Sequence, residues 1–171
     1  MIRPTLSGLW AAFPDHVQYP TLKDLYSWLG GQAAANINAD GFGPKGNTCA
    51  SRLSVAFNRA GFPINPAIAH SMRALTLQTK DGHHIIVRVK EFREYLLREL
   101  GRPTLDRTSP FDSNFAGRKG IIAFSVSGWS DASGHIALFD DRTYREPAHD
   151  NYATLAVGGV HTIQGEFWEL K

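Results

Sequence analysis

The sequence PKGNTCASRL at residues 44–53 leads into the helix around which the rest of the chain is expected to be organised, and it holds the only cysteine of the chain, Cys49. From Cys49 onward, apolar residues recur at steps of three and four as far as Gly61, which predicts an amphipathic helix of roughly three to four turns. Asn47 or Thr48 can supply the N-cap, and the glycine supplies the stop. Cys49 is therefore expected in the first turn of this helix.

A cysteine in the first turn of a helix is placed for nucleophilic chemistry. Unpaired backbone N–H groups and the positive end of the helix dipole favour a thiolate over a thiol, and the thiolate is the reactive form. The glycine-containing segment before Cys49 removes side chains upstream, so the sulfur can be open to a substrate. The alternative is that Cys49 is a small buried hydrophobic residue. A partner base elsewhere in the chain is needed to favour the nucleophile.

Length and composition indicate one globular domain. The chain has 171 residues, of which 43% are hydrophobic and 20% are charged, so we predict a single domain over residues 1–171. Its 18 basic and 16 acidic side chains are scattered, which argues against nucleic acid as a partner. The single cysteine excludes an internal disulfide. Neither a Sec-type signal nor a membrane span is predicted, so action outside the cytoplasm would require another export route.

Hydrophobic periodicity predicts helices in the first half of the chain and strands in the second. Besides the cysteine helix, helices are predicted at residues 5–13, 21–29 and 90–100, the second with a capping box from Thr21 to Asp24. A hairpin is predicted around residues 80–82, and strands are predicted at residues 120–126, 134–139, 143–146 and 160–170. This order indicates an α+β fold with a mostly antiparallel sheet.

His135 is the candidate for the general base among the seven histidines of the chain. Gly134 precedes it at the start of a predicted strand, and a polar loop leads in, so its ring can face a cleft. If Asp140 and Asp141 form a two-residue turn, the returning strand pairs Glu146 with His135 and places a carboxylate beside the imidazole. The alternative is a structural histidine hydrogen-bonded beside a surface carboxylate.

Neither a metal nor a cofactor is predicted. The adjacent His83 and His84 suggest a metal site at first, but neighbouring residues of a strand point to opposite faces of the sheet. The two imidazoles therefore cannot readily bind one ion. Histidines exposed to solvent beside a turn are the simpler interpretation.

The segments GNTCASRLS at residues 46–54, GHIALFD at 134–140 and REP at 145–147 resemble the papain-like cysteine peptidases of the NlpC type. The resemblance is closer to the type VI secretion amidase effectors of family four, and it covers nearly the whole chain. It implies a papain-like α+β fold in which the nucleophile helix packs on an antiparallel sheet. It also implies a cysteine amidase that cleaves peptidoglycan stem peptides between D-glutamate and meso-diaminopimelate.

The same resemblance implies the cellular setting. The enzyme would be made in the cytoplasm without a Sec signal and delivered by the type VI secretion machinery into the periplasm of a rival Gram-negative cell. A cognate immunity protein would neutralise it.

The resemblance further implies that a third residue orients His135. Two positions depart from the family pattern: Phe139 stands where tryptophan is expected, and Glu146 is the best match where aspartate is expected. We predict that Glu146 is the third catalytic residue, with Asp150 and Asp140 as alternatives.

Two other functions are compatible with these residues. Another papain-like thiol enzyme, such as a protease or an acyltransferase, would keep Cys49 and His135 but have a different cleft. A non-catalytic cell-wall binding module would tolerate loss of the thiol. If the chain is an amidase, the backbone N–H of Cys49 is the expected oxyanion donor, because it points out of the same helix start as the sulfur.

Overall fold

The computed structural model describes residues 2–39, 46–129 and 134–171. Most of the glycine-containing segment before the cysteine, at 40–45, and part of the loop before His135, at 130–133, lie outside the described residues. The helices are α1 (Leu6–Ala12), α2 (Leu22–Leu29), α3 (Gly31–Ala35), α4 (Cys49–Arg59), α5 (Pro66–Ser71), α6 (Val89–Glu99), α7 (Phe111–Phe115) and α8 (Pro147–Asp150). The strands are β1 (Thr76–Gln78), β2 (His84–Ile86), β3 (Leu105–Arg107), β4 (Arg118–Ser127), β5 (Gly134–Asp141), β6 (Thr143–Tyr144), β7 (Ala156–Val157) and β8 (Val160–Glu169).

The main sheet is antiparallel and has the strand order β3-β8-β4-β5-β6, with β7 also pairing with β8. β1 and β2 form a separate hairpin, as predicted around residues 80–82. The predicted α+β arrangement is confirmed. β3 and α7 lie in the segment between α6 and β4. Within the described residues, the helices are too short or too polar to cross a membrane.

Both faces of the main sheet are covered, because apolar residues alternate along its strands. α1, α4 and α6 pack on one face, against Ile121, Ala123, Ile136, Leu138 and Trp168. α7 packs on the other face, against Ile122, Phe124, Ala137, Phe139 and Phe167. The first of these clusters holds α4 against the sheet, which is the packing predicted for the cysteine helix.

α4 has the predicted start and is buried over most of its length. Thr48 takes the N-cap position, while the side-chain oxygen of Asn47 accepts the N–H of Cys49 at 3.0 Å. The residues from Cys49 to Phe57 are all buried. Gly61, just beyond the helix, has a φ of 86°, a conformation that glycine adopts without strain. The sequence pattern therefore predicted both ends of the helix.

The turn between β5 and β6 lies one residue later than predicted. Asp140 pairs with Thr143, so the turn residues are Asp141 and Arg142. Asp141 has a φ of 62°, in the left-handed region that aspartate enters more readily than most non-glycine residues. β6 ends before Glu146, so the predicted pairing of Glu146 with His135 does not form.

Candidate active site

The start of α4 and the start of β5 are joined by Asn47. Its side-chain oxygen accepts the Cys49 N–H, and its side-chain nitrogen donates to the carbonyl oxygen of Gly134 at 3.4 Å. The nucleophile candidate and the base candidate are thus brought together by one polar residue between them. The Cys49 N–H, which was expected to be the oxyanion donor, is occupied by Asn47 in this structure.

His135 lies at the first residues of β5, where it pairs with Phe124 of β4. The preceding Gly134 pairs with Ser125, and a Cβ atom at position 134 would overlap the Phe124 carbonyl oxygen. Only glycine fits this close approach of the two strands. His135 is 5% exposed, so its ring is held in a nearly water-free setting.

Asp150 orients the ring of His135. Its carboxylate oxygen Oδ1 lies 2.8 Å from Nε2 of His135, and the other oxygen accepts the backbone N–H of Glu146 at 3.0 Å. Asp150 is only 3% exposed. Because Asp150 is a carboxylate acceptor, Nε2 carries the proton of this hydrogen bond. The carboxylate therefore leaves Nδ1 as the nitrogen available for chemistry.

Nδ1 of His135 is buried and, within the described part of the chain, has no aligned hydrogen bond. Cys49 nevertheless lies close enough to act on the charge of the ring. We assign this contact to charge attraction between the two side chains, since catalytic contacts are often poorly aligned without substrate. Nδ1 is thus positioned to exchange a proton with a substrate held at the sulfur.

The surroundings of His135 favour its charged form. Burial alone would lower the pKa of His135, but the negative charge of Cys49 and the hydrogen bond with Asp150 outweigh it and raise the pKa to about 9. The imidazole is therefore protonated at neutral pH. A thiolate beside an imidazolium is the reactive state of a cysteine hydrolase.

Tyr152 covers the ring of His135. The two rings are stacked, with centroids 4.2 Å apart and planes 13° from parallel. Trp129 meets Tyr152 edge to face at 5.7 Å, and the carbonyl oxygen of Tyr152 accepts the Thr162 hydroxyl at 2.6 Å. Burial raises the pKa of Tyr152, helped by the negative charges near it, so its phenol stays neutral. This stack restrains rotation of the imidazole.

Arg52 is a buried cation one turn after the cysteine. Its guanidinium donates to Thr48 Oγ1 at 2.7 Å and to the carbonyl oxygens of Pro14 at 2.9 Å and Tyr19 at 2.6 Å. Burial lowers the pKa of Arg52, and nearby negative charges, with Glu146 the largest, act against this. Arg52 therefore links α4 with the segment that follows α1, and its positive charge offsets the negative charge of the site.

The predicted role of Glu146 requires correction. Its carboxylate accepts the backbone N–H of His16 at 2.8 Å and lies 2.9 and 3.0 Å from Nδ1 of the same histidine, not beside His135. The shifted hairpin turn and the short helix α8 bring Asp150 to the imidazole instead. Asp140, the other alternative, lies at the far end of β5 and forms an ion pair with Lys119 at 3.2 Å.

The sequence did not predict that Arg52, Tyr152 and His16 lie in or beside the candidate active site. Arg52 had a usable signal, because it follows Cys49 by three residues on a helix predicted to pack in the core. Tyr152 and His16 had none, since they reach the site from separate segments. His16, Glu146 and His149 also form a group of possible metal ligands outside the Cys49 site.

Known proteins are similar to this chain in sequence and in structure. A family model described as type VI secretion system (T6SS) amidase effector protein 4, Tae4, matches residues 46–166. This range contains Cys49, His135 and Asp150. No curated protein sequence matches the chain.

Several solved structures are similar over nearly the whole chain. Tae4 from Salmonella typhimurium in complex with the immunity protein Tai4 from Enterobacter cloacae is 29% identical with a TM-score of 0.82, covering 99% of this chain and 100% of that one. Tae4 in the Tae4–Tai4 complex from Enterobacter cloacae is 28% identical with a TM-score of 0.83 and the same coverage. A structure of the Salmonella typhimurium effector–immunity system is 30% identical with a TM-score of 0.81, again with the same coverage. These matches confirm the predicted papain-like fold.

Proposed function

Since this chain belongs to the family of type VI secretion amidase effectors 4, we propose that its amidase activity is that of a cysteine hydrolase with Cys49, His135 and Asp150 as its catalytic residues. The observation that carries the proposal is the buried pair of His135 and Asp150, at 2.8 Å, beside a cysteine in the first turn of a helix. The proposed substrate is the amide between D-glutamate and meso-diaminopimelate in peptidoglycan stem peptides.

In the first half of the reaction the amide bond is broken. The Cys49 thiolate attacks the carbonyl carbon of the D-glutamyl residue and forms a tetrahedral intermediate. Nδ1 of His135 gives its proton to the diaminopimelate nitrogen, which leaves as an amine. The D-glutamyl group is then held as a thioester on the sulfur.

In the second half a water molecule releases the acyl group. Nδ1 of His135, now without its proton, takes a proton from water while the water oxygen attacks the thioester carbonyl. The carbon–sulfur bond breaks and Cys49 returns to the thiolate. The products are a carboxylate and an amine, and His135 is again an imidazolium.

Asp150 supports both halves by holding the ring of His135. Its hydrogen bond to Nε2 keeps Nδ1 directed at the reacting atoms, and its negative charge stabilises the imidazolium. The backbone N–H of Glu146 fixes the second oxygen of this carboxylate. Glu146 thus contributes through its backbone, while its side chain pairs with His16.

Asn47 has a part in oxyanion binding. The Cys49 N–H can donate to the tetrahedral intermediate only if the substrate oxygen replaces Oδ1 of Asn47, which accepts that N–H at 3.0 Å. Asn47 then holds the start of α4 in the free enzyme and gives way to substrate. Its second contact, with the Gly134 carbonyl oxygen, keeps α4 next to β5 during this exchange.

As a type VI secretion effector, the protein is exported by that machinery. We place its substrate in the periplasm of the target cell, where stem peptides are exposed. The structures of related Tae4 proteins with Tai4 immunity proteins support a cognate immunity protein that neutralises this chain too.

Digestion of purified sacculi tests the proposal. The enzyme should release muropeptides in which the diaminopimelate amine is newly free and the stem on the sugar side ends at D-glutamate. Mass spectrometry of the fragments identifies the bond. Cleavage of a different amide would contradict the proposed substrate, and intact sacculi would contradict the proposed activity.

A further inference from the structure

A second cluster of titratable side chains lies beside α8. It consists of His16, from the segment between α1 and α2, and Glu146 and His149, from the start and the body of α8. One ligand atom from each residue lies within 4.8 Å of the other two. The proposed mechanism uses none of these three side chains.

The carboxylate of Glu146 is buried, with 7% of its side chain exposed. Arg52, whose positive charge acts on this carboxylate, donates its hydrogen bonds to Thr48 and to two backbone carbonyl oxygens, not to Glu146. Within the described residues, His16 alone provides hydrogen bonds to this carboxylate. A buried anion with one histidine partner is a site that further positive charge would stabilise.

We propose that His16, Glu146 and His149 form a binding site for a Zn²⁺ ion, with three protein ligands and a fourth position open to solvent. Two imidazoles and one carboxylate are a donor set that suits zinc and is poorly suited to magnesium or calcium. The site is separate from the catalytic residues and does not depend on the proposed peptidoglycan chemistry.

The distances between His16 and Glu146 are close to those the ion requires. Nδ1 of His16 lies 2.9 and 3.0 Å from the two carboxylate oxygens. Zinc binds nitrogen and oxygen ligands at about 2.1 Å, so two ligands at a tetrahedral angle stand about 3.4 Å apart. Nδ1 of His16 and the carboxylate oxygen of Glu146 therefore have to move apart by about half an ångström when the ion replaces the proton between them.

His149 has to turn in order to complete the site. Its ring is stacked on that of His16, with centroids 3.8 Å apart and planes 10° from parallel. The lone pair of an imidazole nitrogen lies in the plane of its ring, so two parallel rings hold their lone pairs in parallel planes and cannot direct them at one ion. His149 is exposed, so rotation about its side-chain bonds meets no core packing.

The proposed zinc site lies next to Asp150, one of the three proposed catalytic residues. His149 directly precedes Asp150, and the backbone N–H of Glu146 donates to the Asp150 carboxylate. An ion held by side chains 146 and 149 would fix the short helix that presents Asp150 to His135. Bound zinc should therefore make α8 more rigid and raise the melting temperature of the chain.

Calorimetric titration of Zn²⁺ into the full-length Cys49→Ala protein tests the proposal. The alanine removes the thiolate of Cys49, a strong zinc ligand outside the proposed site. One ion should bind per chain, and His149→Gln or His16→Gln in the same background should weaken binding by at least the roughly 10- to 100-fold that loss of a residue orienting a ligand costs. His161→Gln, at an exposed histidine of β8, is the matched control and should leave the affinity unchanged.

Thermal melting gives a second measurement. Zn²⁺ should raise the melting temperature of the Cys49→Ala protein and of its His161→Gln control, but not that of His149→Gln. Because His149 is exposed, its substitution should not unfold the chain. Absence of saturable binding, or equal affinities in His149→Gln and His161→Gln, would overturn the proposal and leave the three residues as a hydrogen-bonded contact only.

Discussion

Replacing Asp150 by asparagine should lower kcat by about 10- to 10⁴-fold, because asparagine cannot serve both partners of the carboxylate. Oδ1 of Asp150 accepts from His135 Nε2 at 2.8 Å, and Oδ2 accepts from the Glu146 N–H at 3.0 Å. An asparagine that keeps its oxygen towards Glu146 presents an NH₂ donor to the ring. His135 must then accept at Nε2 and carry its proton on Nδ1 in the neutral ring. In the opposite orientation, the NH₂ group of the asparagine faces the backbone N–H of Glu146, so two donors meet without an acceptor.

The lower limit of this range follows from the lost hydrogen bond. A hydrogen bond to a charged group is worth about 1.5–3 kcal/mol, which corresponds to roughly 10- to 150-fold in rate. The upper limit applies when the wrong tautomer of the histidine also dominates. Both partners are nearly fully buried, so water cannot replace the missing charge.

Initial rates on a purified stem-peptide fragment measure the effect, with Glu146→Gln as the matched control. Glu146 is also a buried carboxylate of the same segment, but its side chain bonds His16 instead of His135. Glu146→Gln should change kcat by less than about threefold, while its melting temperature can fall. A large loss in Glu146→Gln with a small one in Asp150→Asn would refute the orientation of His135 by Asp150.

The remaining predictions concern the surroundings of the imidazole. Because Cys49 and Asp150 raise the pKa of His135 in the free enzyme to about 9 from a usual 6.5, kcat/KM should fall as pH rises through about 9, and a kcat/KM that still rises there would contradict the proton donor role. The same shift stabilises the fold fully below about pH 6.5 and loses this contribution as pH passes about 9, which urea unfolding across this range checks. Tyr152→Leu should remove the ring stack, lower kcat about tenfold and lower the upper pKa of the pH–rate profile. Tyr152→Phe should keep kcat and this pKa unchanged, and equal behaviour of the two variants would exclude a role for the stack. Gly134→Ala should lower the free energy of unfolding by about 3 kcal/mol, because its Cβ would meet the Phe124 carbonyl oxygen, and an unchanged unfolding curve would contradict this contact.

The sequence offered the proposed nucleophile and the proposed base as candidates because their signals are local. The start of α4 follows from capping residues and from apolar spacing within one turn of Cys49. Gly134 before an apolar strand marks a close approach of two strands, and His135 follows it directly. The family resemblance added the reaction and the substrate to these local features.

The carboxylate that contacts His135, and that we propose as the third catalytic residue, could not be chosen in the same way, because its position depends on where a turn falls. With the β5–β6 turn one residue later than predicted, the pairing of these two strands ends before Glu146. The four-residue helix α8 then places Asp150 beside the imidazole of His135. Sequence patterns do not determine a turn between adjacent aspartates to within one residue. The contacts of Arg52 and Tyr152 were also missed, because each joins segments that are distant along the chain.

Muropeptide release by the Cys49→Ala variant tests whether Cys49 is the nucleophile. The thiol is a small buried side chain, so the variant should still unfold cooperatively, although it loses the part of the His135 pKa shift that Cys49 supplies. It should release no product from purified sacculi under conditions in which the unsubstituted enzyme digests them. Product release by folded Cys49→Ala at a comparable rate would contradict cysteine catalysis.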